Sequence, residues 1–189
     1  IDDGDNRFTT ANPRPAEPDP VGGTLKVGSL NVLNYFTTLD TGSSARTAIG
    51  QQPRGANTPQ ELARQTEKLV TTLTATGADV LGLTELENQF RPGDPGNALE
   101  YLVGQLNLRA GAGTYAYVNP GAQLDQGQFL GGDAIAVGFI YKPSKVSVSM
   151  NTTIEKLDDA DVAAFNPALL QQSTLGHIFN GVNTSRASL

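Results

Sequence analysis

Cysteine is absent from these 189 residues, which removes disulfide frameworks, thiolate zinc sites and thiol nucleophiles together and leaves the redox compartment unspecified. Histidine occurs once, at position 177, so the chain offers no pair of imidazoles to a metal and no histidine triad with a spare. His177 lies in GHIFNGVN, with no aspartate or serine nucleophile signature beside it, and reads as structural. No apolar run approaches the roughly 20 residues needed to span a bilayer. The first residues, IDDGDNRFTT, have neither a basic start nor an apolar signal region, so the expectation is a soluble chain from which any export signal has been removed. A glycine-rich phosphate loop is also missing: GAGTY near residue 111 lacks the spacing and the following helix, which argues against nucleotide-driven chemistry. Basic residues are outnumbered, 13 against 19 acids, and the net charge of -6 argues against broad adhesion to nucleic acid. It leaves room for an acidic metal site, where a divalent cation supplies the positive charge that meets a phosphate.

What is present is enough for a core. Hydrophobic residues make up 38% and charged residues 17%, the balance of a folding domain rather than a disordered polyelectrolyte, and the length fits one domain. Residues 1–23 hold four of the eleven prolines and read as an acidic tail or linker. LKVGSLNVLNYF then predicts a strand ending near Asn34, and residues 37–57 predict a long loop carrying Arg46 and Arg54. NTPQELARQTEKLVTTLTATG predicts a helix with an Asn/Thr cap, Pro59 in its first turn and Gly77 as its stop. ADVLGLTELEN predicts a strand buried on both faces, GNALEYLVGQLNL a second helix, and TYAYVNP a short strand. GGDAIAVGFIYKPSKVSVSM predicts two strands turning about Pro143 and Ser144, and DDADVAAFNPALLQQ is helix-like. There is no internal repeat. The order predicts an α/β layered domain with the early helices on one sheet face and later strands added antiparallel at its edges.

Asn31 and Glu85 stand out because each is a polar residue at the C-terminal end of an apolar strand, where sites in α/β sheets form. A carboxylate there suits magnesium or calcium, and a neighbouring carboxamide can orient a phosphate or a metal-bound water; a capped strand end is the bland alternative. Alternation would put Glu87 on the same side as Glu85, although a solvated loop acid is the preferred account of Glu87. Asp133 either caps a glycine turn or stands at a site mouth. Arg64 and Arg186 could each fork onto a phosphate, but Arg64 sits among Glu61 and Lys68, where helix-surface pairing is simpler.

LKVGSLNVLNYFTT, RGANTPQELARQTEKLV, ADVLGLTELEN and GGDAIAVGFIYKP, in that order, resemble the start of bacterial extracellular nucleases of the endonuclease/exonuclease/phosphatase superfamily. FIYKPSKVSVSM and SRASL also resemble the matching stretch of pancreatic-type deoxyribonuclease. The resemblance covers about residues 24–189. It implies the N-terminal half of a deoxyribonuclease-I-like, two-sheet α/β sandwich, and a secreted, metal-dependent nuclease of DNA or RNA. It implies that Asn31 helps position metal and scissile phosphate, that Glu85 ligates the metal, that Arg186 meets the DNA backbone, and that Asp133 holds an acidic position near the substrate. The implied cofactor is magnesium, with calcium or manganese as helpers. The family's Asn-His strand, Gly-Asp-x-Asn turn and C-terminal Asp-His pair do not occur before Leu189, and His177 matches none of them. The expectation is therefore an inactive portion that leaves an apolar sheet face uncovered and pairs with the rest of the domain or with another chain. Two alternatives remain open: a non-catalytic assembly module docking through that face, or a phosphoesterase acting on lipid or sugar phosphates. The 37–57 loop reads either as a strand-contacting element or as a spacer.

Overall fold

The computed structural model describes residues 22–120 and 129–149, with isolated positions 11, 15, 19 and 20 before them. His177, Arg186, the helix-like segment 158–172 and most of the proline-rich tail lie outside the described residues. The elements run β1 (Val27–Tyr35), α1 (Pro59–Thr76), β2 (Val80–Glu87), α2 (Ala98–Ala110), β3 (Ala116–Tyr117) and β4 (Ile135–Tyr141). They form a mixed α/β unit: a four-stranded sheet of order β1-β2-β4-β3, with β1 and β2 parallel and the other neighbours antiparallel. None of the described helices is long and apolar enough to cross a membrane.

Helix α1 begins where the sequence predicts. Thr58 is extended, and its hydroxyl accepts the Glu61 N–H at 3.2 Å while the Glu61 carboxylate turns back to the Asn57 N–H at 2.8 Å. The first bond satisfies a first-turn donor that the helix itself leaves unpaired, the second ties the residue before the cap back to the helix, and Pro59 has no N–H to satisfy. Glu61 is thereby used as a cap, and the expected surface pairing with Arg64 does not form: the ion pairs of the described residues are Arg54–Asp133, Arg109–Glu67 and Lys142–Asp79. Gly77, at φ 64°, ends the helix in the left-handed conformation open to glycine.

One face of each helix meets one face of the sheet. Leu69, Val70 and Leu73 of α1, and Leu99, Leu102 and Leu106 of α2, share a core with Leu81, Leu83 and Leu86 of β2. The opposite sheet face aligns Val27, Val80 and Tyr141 in one row and Ser29, Gly82 and Phe139 in the next. No described helix or strand packs on it. Burial of β2 is therefore one-sided: Leu81 and Leu83 are buried while Val80 and Gly82 are half-buried, against the expectation of burial on both faces.

The second strand expected after Pro143 and Ser144 does not form; the chain turns at 143–145, and residues 146–149 join no ladder. Position explains it. Strand β4 has β2 along one edge, and on the other β3 already pairs Ile140 and Tyr141, the positions that a strand returning from that turn would meet first.

At the far end of the sheet, Asp79 ties three elements. Its carboxylate accepts the Lys26 N–H at 3.1 Å and pairs with Lys142 Nζ at 3.4 Å, while Lys142 also donates to the Gly77 carbonyl at 2.9 Å. The Lys26 N–H, with help from Lys142 and against the pull of burial, holds the Asp79 carboxyl below its ordinary value of 3.8. A depressed folded-state value contributes stability that is full above the unfolded value and lost as pH falls through the folded one. Unfolding temperatures of the parent and Asp79→Asn should therefore differ in the parent's favour at pH 7, with a gap that begins to close near pH of about 4 and vanishes only below the folded-state value. A gap unchanged with pH would remove this role from Asp79.

Candidate active site

Two ladder irregularities fall at the same level of the sheet. Between the Asn31–Thr84 and Tyr35–Leu86 pairs, β1 spends three residues where β2 spends one. Between Leu83–Gly138 and Leu86–Ala136, β2 places Thr84 and Glu85 against Val137 alone. The extra residues are accommodated by left-handed backbone at Leu33 (φ 60°), Asn34 (φ 49°) and Glu85 (φ 66°). These are the only non-glycine residues with positive φ among those described. Asparagine tolerates this region, whereas leucine and glutamate pay roughly 1–2 kcal/mol for it. Such strain persists only where the surroundings hold it in place, and bulges of this kind re-aim side chains beside active sites.

Asn31, Thr84, Glu85, Ile135, Ala136 and Val137 line a cleft of about 140 Å³ at this level. Asn31 Oδ1 accepts the Leu33 N–H at 2.8 Å. That bond fixes the orientation of the carboxamide and leaves the two hydrogens of Nδ2 for an incoming oxygen. Glu85 Oε2 accepts the Asn34 N–H at 3.1 Å. Gln65 of α1 donates to the carbonyls of Val32 at 3.2 Å and Leu33 at 2.8 Å, closing the irregular turn from the helix side. Nothing in sequence spacing marks Gln65, because its role follows from a three-residue bulge on another element.

Glu87 corrects the sequence reading. It is 1% exposed rather than a solvated loop acid, because the left-handed Glu85 breaks the alternation and both Leu86 and Glu87 turn inward. Glu87 Oε2 accepts the Thr37 N–H at 2.9 Å, the Thr38 N–H at 3.0 Å and the Thr37 hydroxyl at 3.2 Å. Its Oε1 is buried without a hydrogen-bond partner among the described residues, an arrangement that costs about 1–3 kcal/mol.

Asp133 stands just ahead of β4 and is joined to Arg54 at 2.7 Å, outside the residues that line the cleft. The same 37–57 loop is bound again through Gln51, which donates to the Gly132 carbonyl and accepts the Ala134 N–H. Asn88 donates to the Leu130 and Asp133 carbonyls and accepts the Leu130 N–H. The loop is therefore seated on the approach to β4 and is no free spacer. Arg46 is occupied locally, by the carbonyls of Ser43 and Ala45.

The donor set bears on which metal the site suits. Among the described residues no three histidine, cysteine or acidic side chains gather as a metal cage. A single carboxylate beside a carboxamide does fit magnesium, which keeps several waters and binds through one or two carboxylates plus substrate phosphate. No protein-family model, curated protein or solved structure matches the chain.

The strain gives a direct prediction. Leu33 is 76% exposed, so its side chain contributes little packing to offset its backbone conformation. Leu33→Gly should raise stability by roughly 0.5–1 kcal/mol, the left-handed penalty less the entropy of an added glycine. Denaturant unfolding measures it, and a loss of stability would show that Leu33 is not strained.

Proposed function

We propose that this chain supplies the Asn-and-Glu half of a divalent-metal-dependent phosphodiesterase site, in a secreted nuclease with the deoxyribonuclease-I-like sandwich fold. The observation that carries the reading is the pair of aligned bulges that bring the Asn31 amide and the Glu85 carboxylate to one cleft. The motif resemblance supports the same two residues. Magnesium bound there would supply Lewis-acid neutralisation of the phosphate charge. Glu85 would hold that cation through its carboxylate, and Asn31 would hold a non-bridging phosphate oxygen through Nδ2, fixing the phosphorus for in-line attack by water. No described residue is a histidine. In this reading the base for the water, the Asn-His strand and the second sheet come from polypeptide beyond these residues, and that second sheet covers the face bearing Val27, Phe139 and Tyr141. Arg186 would add a backbone contact, and Asp133 would act on substrate indirectly, by holding Arg54.

The exposed Val27, at 70%, favours one second reading, an assembly module that docks through this open face without catalysis. The experiment is magnesium-dependent nicking of supercoiled plasmid by the 189-residue chain and by the chain joined to whatever its gene encodes after Leu189, each with and without Glu85→Ala. Nicking that depends on Glu85 supports the nuclease. Nicking insensitive to Glu85→Ala, or none in either form, contradicts it and leaves the docking module.

A further inference from the structure

The buried carboxylate of Glu87 has no part in the chemistry above. All three of its donors come from Thr37 and Thr38 and meet one oxygen, so the acid is a fixed post on β2 against which the chain leaving β1 is set. Two residues earlier on the same strand, Glu85 holds the Asn34 N–H. Between these anchors and Gln65 lie the left-handed Leu33 and Asn34. A strained turn of this kind relaxes unless it is tied at both ends. Gln65 and Asn31 tie its start, and Glu87 ties its end.

We propose that Glu87 is a positioning residue for the Asn31–Glu85 site. Through the Thr37–Thr38 backbone it holds the Leu33–Asn34 turn, and through the Asn34 N–H that turn fixes the Glu85 carboxylate. The consequence for metal rests on the reading of Glu85 as a ligand; the consequence for the turn does not. An amide oxygen accepts from the same three donors while the amide nitrogen takes the unpartnered Oε1 position, so Glu87→Gln should be less stable than the parent yet keep the tie that Glu87→Ala destroys.

The test uses the full 189-residue chain labelled with nitrogen-15, with two readouts: hydrogen exchange of the Asn34 amide, and manganese-induced broadening of resonances around Glu85. Glu87→Ala should speed Asn34 exchange and raise the manganese midpoint, each by about tenfold or more, the range typical of outer residues that orient a ligand. Leu69 and Leu73 amides in α1 should exchange as in the parent, which separates a local effect from general destabilisation. Glu87→Gln should restore both readouts. Unchanged Asn34 exchange and an unchanged midpoint in Glu87→Ala would overturn the proposal while leaving the metal reading intact. If the parent itself shows no broadening at Glu85, the metal reading fails and Asn34 exchange alone decides the positioning role. Should Glu87→Ala not fold, Thr37→Val, which deletes one of the three donors, takes its place: faster Asn34 exchange with α1 unchanged supports the role, and no change overturns it.

Discussion

Glu85→Ala should lower magnesium-dependent phosphodiester cleavage by about 10²-fold or more in whichever form of the protein cleaves, because among the described residues it removes the only carboxylate lining the cleft. The fold should survive. Glu85 is half-buried and its one hydrogen bond among the described residues, to the Asn34 N–H, is worth about 1.5–3 kcal/mol as a bond to a charged group. Alanine keeps the left-handed strain at this position, whereas glycine releases roughly 1–2 kcal/mol of it. Glu85→Gly should accordingly be as inactive as Glu85→Ala yet more stable than it. Plasmid nicking and thermal unfolding, measured on all three proteins, check both halves. If the glycine variant keeps parental activity, Glu85 is no metal ligand; if it is the less stable of the two, the φ of 66° stores no strain.

Gly55→Ala should damage the same site from the loop side. A β-carbon at Gly55 would stand 2.7 Å from the Phe36 β-carbon and 3.0 Å from the Asn34 carbonyl oxygen. Neither is the far end of a flexible side chain, and Phe36 is fully buried, so the backbone around Asn34 must shift. The expected cost is about 1–3 kcal/mol, as for other overpacked positions, with cleavage falling further than stability because Asn34 holds Glu85. Gly104→Ala, where a β-carbon meets nothing within 4 Å, is the control. Equal stability of Gly55→Ala and the parent would mean that the loop is not seated as described.

The local signals were the legible ones. Thr58, Pro59 and Gly77 mark the ends of α1 because capping chemistry acts within one turn, and the apolar run before Glu85 marks β2 because burial demands it. Asn31 and Glu85 could be singled out for the same reason, as polar residues closing apolar strands. What spacing could not give is register. The bulges arise from pairing strands some fifty residues apart, and without them neither alternation nor the preferred account of Glu87 as a solvated loop acid places that residue inside, where it is buried. The missing strand after Pro143 has the same origin: a turn at 143–145 predicts a hairpin only if the end of β4 has a free edge, and there Ile140 and Tyr141 are paired by β2 on one side and β3 on the other. Asp133 looked equally like a turn cap or a site residue until Arg54, from a loop about eighty residues away, was found against it.

A divalent cation held by Glu85 beside Asn31 is the centre of the proposed function. Crystals of the chain equilibrated with manganese and recorded for its anomalous scattering test that claim most directly. The predicted result is a peak within about 2.0–2.4 Å of a Glu85 carboxylate oxygen, a distance suited to a hard cation on oxygen, absent from Glu85→Ala crystals treated in the same way. No peak in the cleft, or a peak that persists in Glu85→Ala, would contradict it.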